Sequence, residues 1–538
     1  MTRFSTLRTL FKRAPLIAFV TSILVCAITA LLAPLPAPQF HDEFSYLLAG
    51  DTFARARLTN STHPLWEFFE TFQVLHHPTY ASKYPPAQGM FLALGQLIVG
   101  EPIVGVWIST ALACAAIAWM AGAVLPRTWA MLCGILAATH PQVLDWNWSY
   151  WGGSVALLGG ALLIGATLRL RRRASWKDAA IAGIAISILA NSRPLEGAIL
   201  SVTCVGWMAL TPLAASQIRR FTSIDLRRRK RQVIGAITLV LAINFAWMGY
   251  YNWRVTGSAT TLPYSLYEKQ YAPTRPLAWL PPPTSQPTYR HSAMREFYLN
   301  WELPNYLRQR SLGGFVEASL GKLWDFARGF GRAPTLALAF IGPPFVLRRW
   351  KWTRIGLLIV VVCLLNSLPV LTYFPHYSAP VAPLIFLLFA TCLSRVWSRV
   401  LSRAWSRGGF AIRQRWTLPG RVLVALILLG QSVALVHWII RRANTDATSW
   451  NFLRQAFVDE QTRGDRKVLV FVRADPGYYV HNEYVYNSPD INNAPVVWAR
   501  DMGYARNRDL IDYYVQRGAR ELMLLDNGRQ LIPYNETK

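Results

Sequence analysis

Residues 15–32 read Pro15-Leu-Ile-Ala-Phe-Val-Thr-Ser-Ile-Leu-Val-Cys-Ala-Ile-Thr-Ala-Leu-Leu32. No charge interrupts the run, and its length suits the ~30 Å core of a bilayer. Arg3, Arg8, Lys12 and Arg13 precede it, and Ala33-Pro-Leu-Pro-Ala-Pro38 follows. Such flanks also fit a signal peptide. The run is long for a signal core, and the chain beyond it is equally apolar. A retained first membrane helix with a cytoplasmic N-terminus is therefore expected.

The pattern recurs. Apolar blocks at 103–125, 129–144, 152–168, 178–192, 195–213, 232–251, 333–347, 355–372, 377–394 and 422–440 bring the expected crossings to eleven. Of 538 residues, 53% are hydrophobic and 16% charged, whereas a soluble domain carries about 25% charged residues. A soluble enzyme, a disordered chain and a fibrous protein are excluded. The expected fold is an α-helical polytopic membrane protein with juxtamembrane helices and a small C-terminal α/β extramembrane domain.

The net charge is +28, from 56 Lys+Arg and 28 Asp+Glu. This excess does not point to nucleic acid. It gathers in the short stretches 169–177, 219–231, 348–354 and 395–421, as the positive-inside rule requires of cytoplasmic loops. The last of these contains Ser394-Arg-Val-Trp, Ser398-Arg-Val-Leu and Ser402-Arg-Ala-Trp, whose period places the arginines on one helical ridge facing membrane lipids. The six cysteines lie in apolar blocks without a C-x-x-C pair, so they read as small buried hydrophobes.

With those loops inside, segments 36–100 and 252–331 and the tail 441–538 are external. The chain then divides into a membrane-embedded part, 1–440, and an external domain, 441–538. The block 86–100 is short and begins at Pro85-Pro86, so it reads as a re-entrant or interfacial helix. Tyr264, Tyr267, Tyr271 and Trp279 read as interfacial aromatics. In the tail, 467–473, 495–498 and 521–525 are strand candidates, and 509–516 is a helix.

The first external segment opens with His41-Asp42-Glu43-Phe44-Ser45-Tyr46-Leu47-Leu48. Phe44, Leu47 and Leu48 share a helical face. Asp42 and Glu43 in its first turn suit the helix dipole, and they could do no more than that. A carboxylate at the membrane boundary could equally accept a proton from an acceptor group. Its partner would be a leaving group that membranes supply, a lipid phosphate, which needs nearby cations. Lys83 and Arg193 are external basic residues at membrane depth, where isolated charge is costly. Arg193 could instead pair with Glu196. Trp146, Trp148 and Trp151 lie near these residues and could stack on a sugar.

Asp42-Glu43-Phe44-Ser45-Tyr46 resembles the Asp-Glu-x-x-Tyr opening of the first external loop in the GT-C glycosyltransferases, in the branch of protein O-mannosyltransferases, lipid A aminoarabinose transferases and Rgt-type transferases. Lys83-Tyr84-Pro85-Pro86 resembles that branch's Lys-Pro-Pro motif with one Tyr inserted. Asp145 stands where the family often has a second external acid. His376-Tyr377-Ser378-Ala379-Pro380 is similar to its Tyr-x-x-Pro motif. The resemblance spans about residues 10–440.

It implies an integral-membrane enzyme of a bacterial-type plasma membrane that moves a sugar from a polyprenyl-phosphate donor, with inversion, to a lipid, glycan or protein acceptor. Carried over, Asp42 is the base, with Glu43 orienting Lys83 or contacting the acceptor. Lys83, Arg193, His376 and Tyr377 hold the phosphate, and Tyr46 and Asp145 complete the substrate site. Some members of the wider superfamily use a divalent metal in this loop; no cofactor is assigned here. Two other readings stay open: a lipid or polysaccharide transporter, and an assembly factor working through the tail.

Overall fold

Proline sets where many of the helices begin. The computed structural model describes residues 13–210, 223–332, 351–405, 417–464, 466–475, 477–519 and 521–534. Helices α1 (Ala14–Leu32), α3 (Pro86–Val99), α4 (Pro102–Ala121) and α6 (Pro141–Asn147) carry proline in their first turn, where the missing N–H costs nothing. Between α1 and α3 lies α2 (His41–Ala54). Helix α5 (Arg127–Ala138) precedes α6; then follow α7 (Gly153–Leu170), α8 (Trp176–Ala190), α9 (Pro194–Leu210) and α10 (Ser223–Thr256).

Among the described residues, five helices are long and apolar enough to cross a membrane: Ala14–Leu32, Pro102–Ala121, Gly153–Leu170, Arg227–Thr256 and Val422–Ala443. Shorter apolar helices include Pro86–Val99, Arg127–Ala138 and Trp352–Ser367. The expected span 129–144 is not continuous. It breaks between α5 and α6, because Pro141 has no N–H to continue the ladder. The block 86–100 forms a 14-residue helix, about 21 Å long, capped by Gly100 at φ +82. That is too short for a full crossing. The expected span 333–347 lies outside the described residues.

The apolar core is built on close helix contact at small residues. A Cβ on Gly105 of α4 would lie 1.7 Å from the carbonyl oxygen of Phe91, and one on Gly160 of α7 would lie 1.9 Å from that of Pro380. Helix α7 also sets the depth of the site. Its start adjoins Gly152, where an added Cβ would stand 3.7 Å from the Tyr46 hydroxyl. Its end carries Arg169, which stacks on Trp119 at 3.7 Å. The helix has 18 residues, so about 27 Å separate Tyr46 from the basic loop.

Segment 252–331 is mostly helical: α11 (Pro263–Tyr271), a run over 292–309 with a π turn at Glu296–Glu302, and α12 (Leu312–Gly331). Along one face of α12, Leu312, Val316, Leu320, Leu323 and Trp324 are exposed, as in a helix lying on a lipid surface. Helices α13 (Lys351–Ser367), α14 (Ala382–Trp405) and α15 (Thr417–Ala443) follow. Tyr377 falls in a 3-10 turn, Pro375–Ser378, ahead of α14 rather than inside the expected span 377–394.

In the first loop, β1 (Val74–Leu75) pairs antiparallel with β2 (Ala81–Ser82). The tail contains α16 (Trp450–Arg463), β3 (Val468–Arg473), β4 (Val496–Arg500), α17 (Tyr504–Val515), β5 (Glu521–Asp526) and β6 (Gln530–Pro533). The sheet order is β4-β3-β5-β6, with only β6 antiparallel. The three expected strands are present; α16 and β6 were not anticipated. The sheet rests on the first loop. Phe44 stacks on Tyr486 at 4.3 Å, His41 Nε2 contacts the Val480 carbonyl at 2.9 Å, and buried Arg500 donates from Nε to the Glu70 carbonyl at 3.0 Å.

Candidate active site

Helix α2 presents Asp42 and Glu43 in its first turn, and they behave differently. Glu43 is buried. One of its oxygens accepts from the backbone N–H groups of Gln39 (2.8 Å) and Phe40 (3.2 Å). The other accepts from Tyr150 N at 3.0 Å. It ties off free donors at the helix start, as a capping-box carboxylate does. Burial raises its pKa, against these three bonds. Glu43 does not orient Lys83, whose partner is another residue.

Asp42 is half-buried and accepts a 2.6 Å hydrogen bond from the Tyr84 hydroxyl. Tyr84 is the residue inserted in the Lys-Pro-Pro pattern. Its ring stacks on Tyr46 at 4.5 Å. The charge of Asp42 also reaches Tyr46, Tyr264 and Tyr377. Burial, reinforced by Asp42, keeps the Tyr84 hydroxyl protonated well above its usual range. The carboxylate thus faces a wall of neutral hydroxyl groups.

Arg193, just ahead of α9, lies over the Tyr377 ring at 4.6 Å and acts electrostatically on Tyr46. Among the described residues, Arg193 forms no ion pair within 4 Å, with Glu196 or any other acid. Its Nε is buried without a hydrogen-bond partner. A buried guanidinium left in this state is poised for an anion. His376 lies beside it, packed on Trp151 at 4.6 Å. Burial, followed by Arg193, pushes its pKa well below the usual 6.5. It is therefore neutral near pH 7 and offers no positive charge.

Lys83 is placed differently. Its Nζ is 2.8 Å from Glu268 Oε1 and lies 4.6 Å from the ring centres of both Tyr264 and Tyr267. Tyr267 is buried, with its hydroxyl 2.7 Å from that of Tyr298. It packs inside the protein rather than facing lipid, whereas Trp279 is 63% exposed. Glu302, hydrogen-bonded to Thr274 at 2.6 Å, is a second acid close by. Burial and then Glu268 push its pKa up to about 7. No sequence motif marks Glu268 and Glu302; the tyrosines spaced around them are the one signal.

Asp145 sits elsewhere. Its Oδ2 accepts from Arg332 at 2.6 Å, and its Oδ1 from Arg442 and Trp438 Nε1, both at 2.9 Å. It lines a cavity of about 280 Å³ together with His376 and Glu43. With both oxygens engaged by cations and an indole, Asp145 does not fit a metal site shared with Asp42. Among the described residues no three His, Cys, Asp or Glu side chains gather as a metal-binding set. The structure thus brings together Asp42, Tyr46, Tyr84, Arg193 and Tyr377, with Lys83 in an adjoining aromatic box, and leaves Asp145 in a neighbouring cavity.

No family model and no curated protein matches the sequence. Solved structures do match in fold. The oligosaccharyltransferase of Archaeoglobus fulgidus in its apo form superposes with a TM-score of 0.52 at 10% identity, over 95% of this chain and 69% of that one. The same protein tethered to an acceptor peptide gives 0.52 at 12% identity, over 95% and 68%. ArnT from Cupriavidus metallidurans bound to undecaprenyl phosphate gives 0.46 at 12% identity, over 92% and 88%. The chain thus shares its overall fold with that oligosaccharyltransferase, the likeness expected of the Asp42-Glu43 and Lys83-Tyr84-Pro85-Pro86 motifs.

Proposed function

We propose that the protein transfers a sugar from a polyprenyl-phosphate donor to a lipid, glycan or protein acceptor, with inversion. The observation that carries this reading is the pairing of a held carboxylate with a cation that has no ion pair within 4 Å among the described residues. Asp42 is fixed by Tyr84, and Arg193 has a buried, unpartnered Nε across the same tyrosine wall.

In the proposed step the acceptor oxygen attacks the anomeric carbon and its proton passes to Asp42. The bond from that carbon to the phosphate oxygen breaks, and the electron pair leaves with the phosphate. Arg193 meets the charge that develops there. The Tyr46 and Tyr377 hydroxyls supply further donors to the phosphate. Lys83 sets the local potential from its tyrosine box. A positioned base contributes about 10²–10⁴-fold.

The chain would cross the plasma membrane several times, with a cytoplasmic N-terminus and an external or periplasmic domain at 441–538. The reading is supported by α7, which carries the site at one end and Arg169 to Arg173 at the other. A transfer assay with polyprenyl-phosphate sugars tests it. Wild-type protein should turn over one donor class, and Asp42→Asn should lose about 10²–10⁴-fold. Full activity in Asp42→Asn would remove the base.

A further inference from the structure

The cavity around Asp145 lies where two membrane-length helices end. Pro34 and Pro36 follow α1, and Arg442 closes α15; all three line the space, with Arg332 from the end of α12. Trp148, just after α6, meets Trp438 of α15 with 6.0 Å between ring centres. Such a place is level with lipid headgroups, and indoles are typical of it.

Asp145 holds both arginines at once, Arg332 through Nη1 at 2.6 Å and Arg442 through Nη2 at 2.9 Å. A guanidinium has five N–H donors, so one bond each leaves most of them for something else. The buried groups of this lining that lack a partner are Arg442 Nε, Trp146 Nε1 and Trp151 Nε1. All three are donors. The acids of the lining are already served, Asp145 by the arginines and Glu43 by backbone N–H groups. These unpartnered donors, together with the free N–H groups of the two guanidinium groups, suit a ligand that accepts.

We propose that this cavity binds a lipid-linked phosphate, at a place distinct from Asp42 and Arg193. The ligand is a phosphodiester headgroup of a bulk anionic phospholipid or the phosphate of a polyprenyl carrier. Arg332 and Arg442 grip its oxygens, arginine forks being matched to phosphate. Asp145 keeps the two guanidinium groups paired when the site is empty. The assignment does not depend on sugar transfer.

Native mass spectrometry of the full chain in detergent tests it, with phosphatidylglycerol, phosphatidylcholine and undecaprenyl phosphate added in turn. An Arg193→Gln background removes the other cation. There the protein should retain one phosphatidylglycerol in preference to phosphatidylcholine. Arg332→Gln with Arg442→Gln should weaken that retention tenfold or more. Displacement of the bound lipid by undecaprenyl phosphate would identify a carrier phosphate as the source; retention against it would identify bulk phospholipid. If the double variant does not fold, Asp145→Asn takes its place: removing the competing carboxylate should tighten the anion severalfold. Equal retention of the two phospholipids, an unaffected double variant or weaker binding in Asp145→Asn would overturn the assignment.

Discussion

The Tyr84 hydroxyl donates a 2.6 Å hydrogen bond to Asp42 Oδ1, joining the end of the first external segment to its beginning. A charge-assisted bond of this length fixes the carboxylate in one rotamer. Tyr84→Phe removes the bond and keeps the ring stacked on Tyr46. Its kcat should fall about tenfold, equal to ~1.4 kcal/mol, with little change in donor KM. A variant as fast as wild type would show that Asp42 needs no such anchor.

The two cations should respond in opposite ways. Arg193 has no carboxylate within 4 Å among the described residues, so Arg193→Gln should raise donor KM about tenfold or more and leave the melting temperature nearly unchanged. Lys83 is ion-paired with Glu268. Glu268→Gln should free its charge and lower donor KM severalfold. Lys83→Ala should cost roughly 3 kcal/mol of stability, because Glu268 is left partly buried and unpaired. Titration of donor with thermal denaturation of the same samples separates the three variants.

Glu302 gives a pH dependence with a definite sign. Its folded pKa is pushed up to about 7 by burial and then Glu268, above the ~4.3 of an unfolded chain. The folded state therefore binds more protons between these values. Its contribution favours folding below about pH 4.3 and is lost as pH rises to about 7. Relative to Glu302→Gln, wild type should lose up to ~4 kcal/mol across that window and nothing above it. Parallel curves for the two proteins would refute the shift.

Buried Arg500 ties the sheet to the first external segment. Arg500 and Glu483 form a 2.7 Å ion pair with side chains 2% and 0% exposed, and Arg500 Nε reaches the Glu70 carbonyl. Glu483→Ala strands a buried guanidinium, at roughly 3–5 kcal/mol. Denaturant unfolding should show that loss. A change under 1 kcal/mol would mean that water reaches Arg500.

Helices longer than a bilayer core were legible because period and polarity dominate there. Helix α1 runs from Ala14 to Leu32, beside the expected 15–32. The break at His140-Pro141 was missed because an unbroken apolar run hides it. Asp42, Arg193 and Tyr377 were legible as charged or aromatic residues at helix ends. Glu43 was half-read: its place in a first turn was visible, but not the backbone of Tyr150 that it serves, over a hundred residues away. Glu268 and Glu302 were invisible for the same reason. They sit on α11 and the π turn, in a segment whose sequence shows no sustained period, and only folding brings them to Lys83.

The most direct test is an experimental structure of the protein with undecaprenyl phosphate. The account places the phosphate against the Arg193 guanidinium, within hydrogen-bond reach of Tyr46 or Tyr377, with the Asp42 carboxylate facing it. A phosphate bound away from Arg193, with Asp42 closed off from it, would contradict the account.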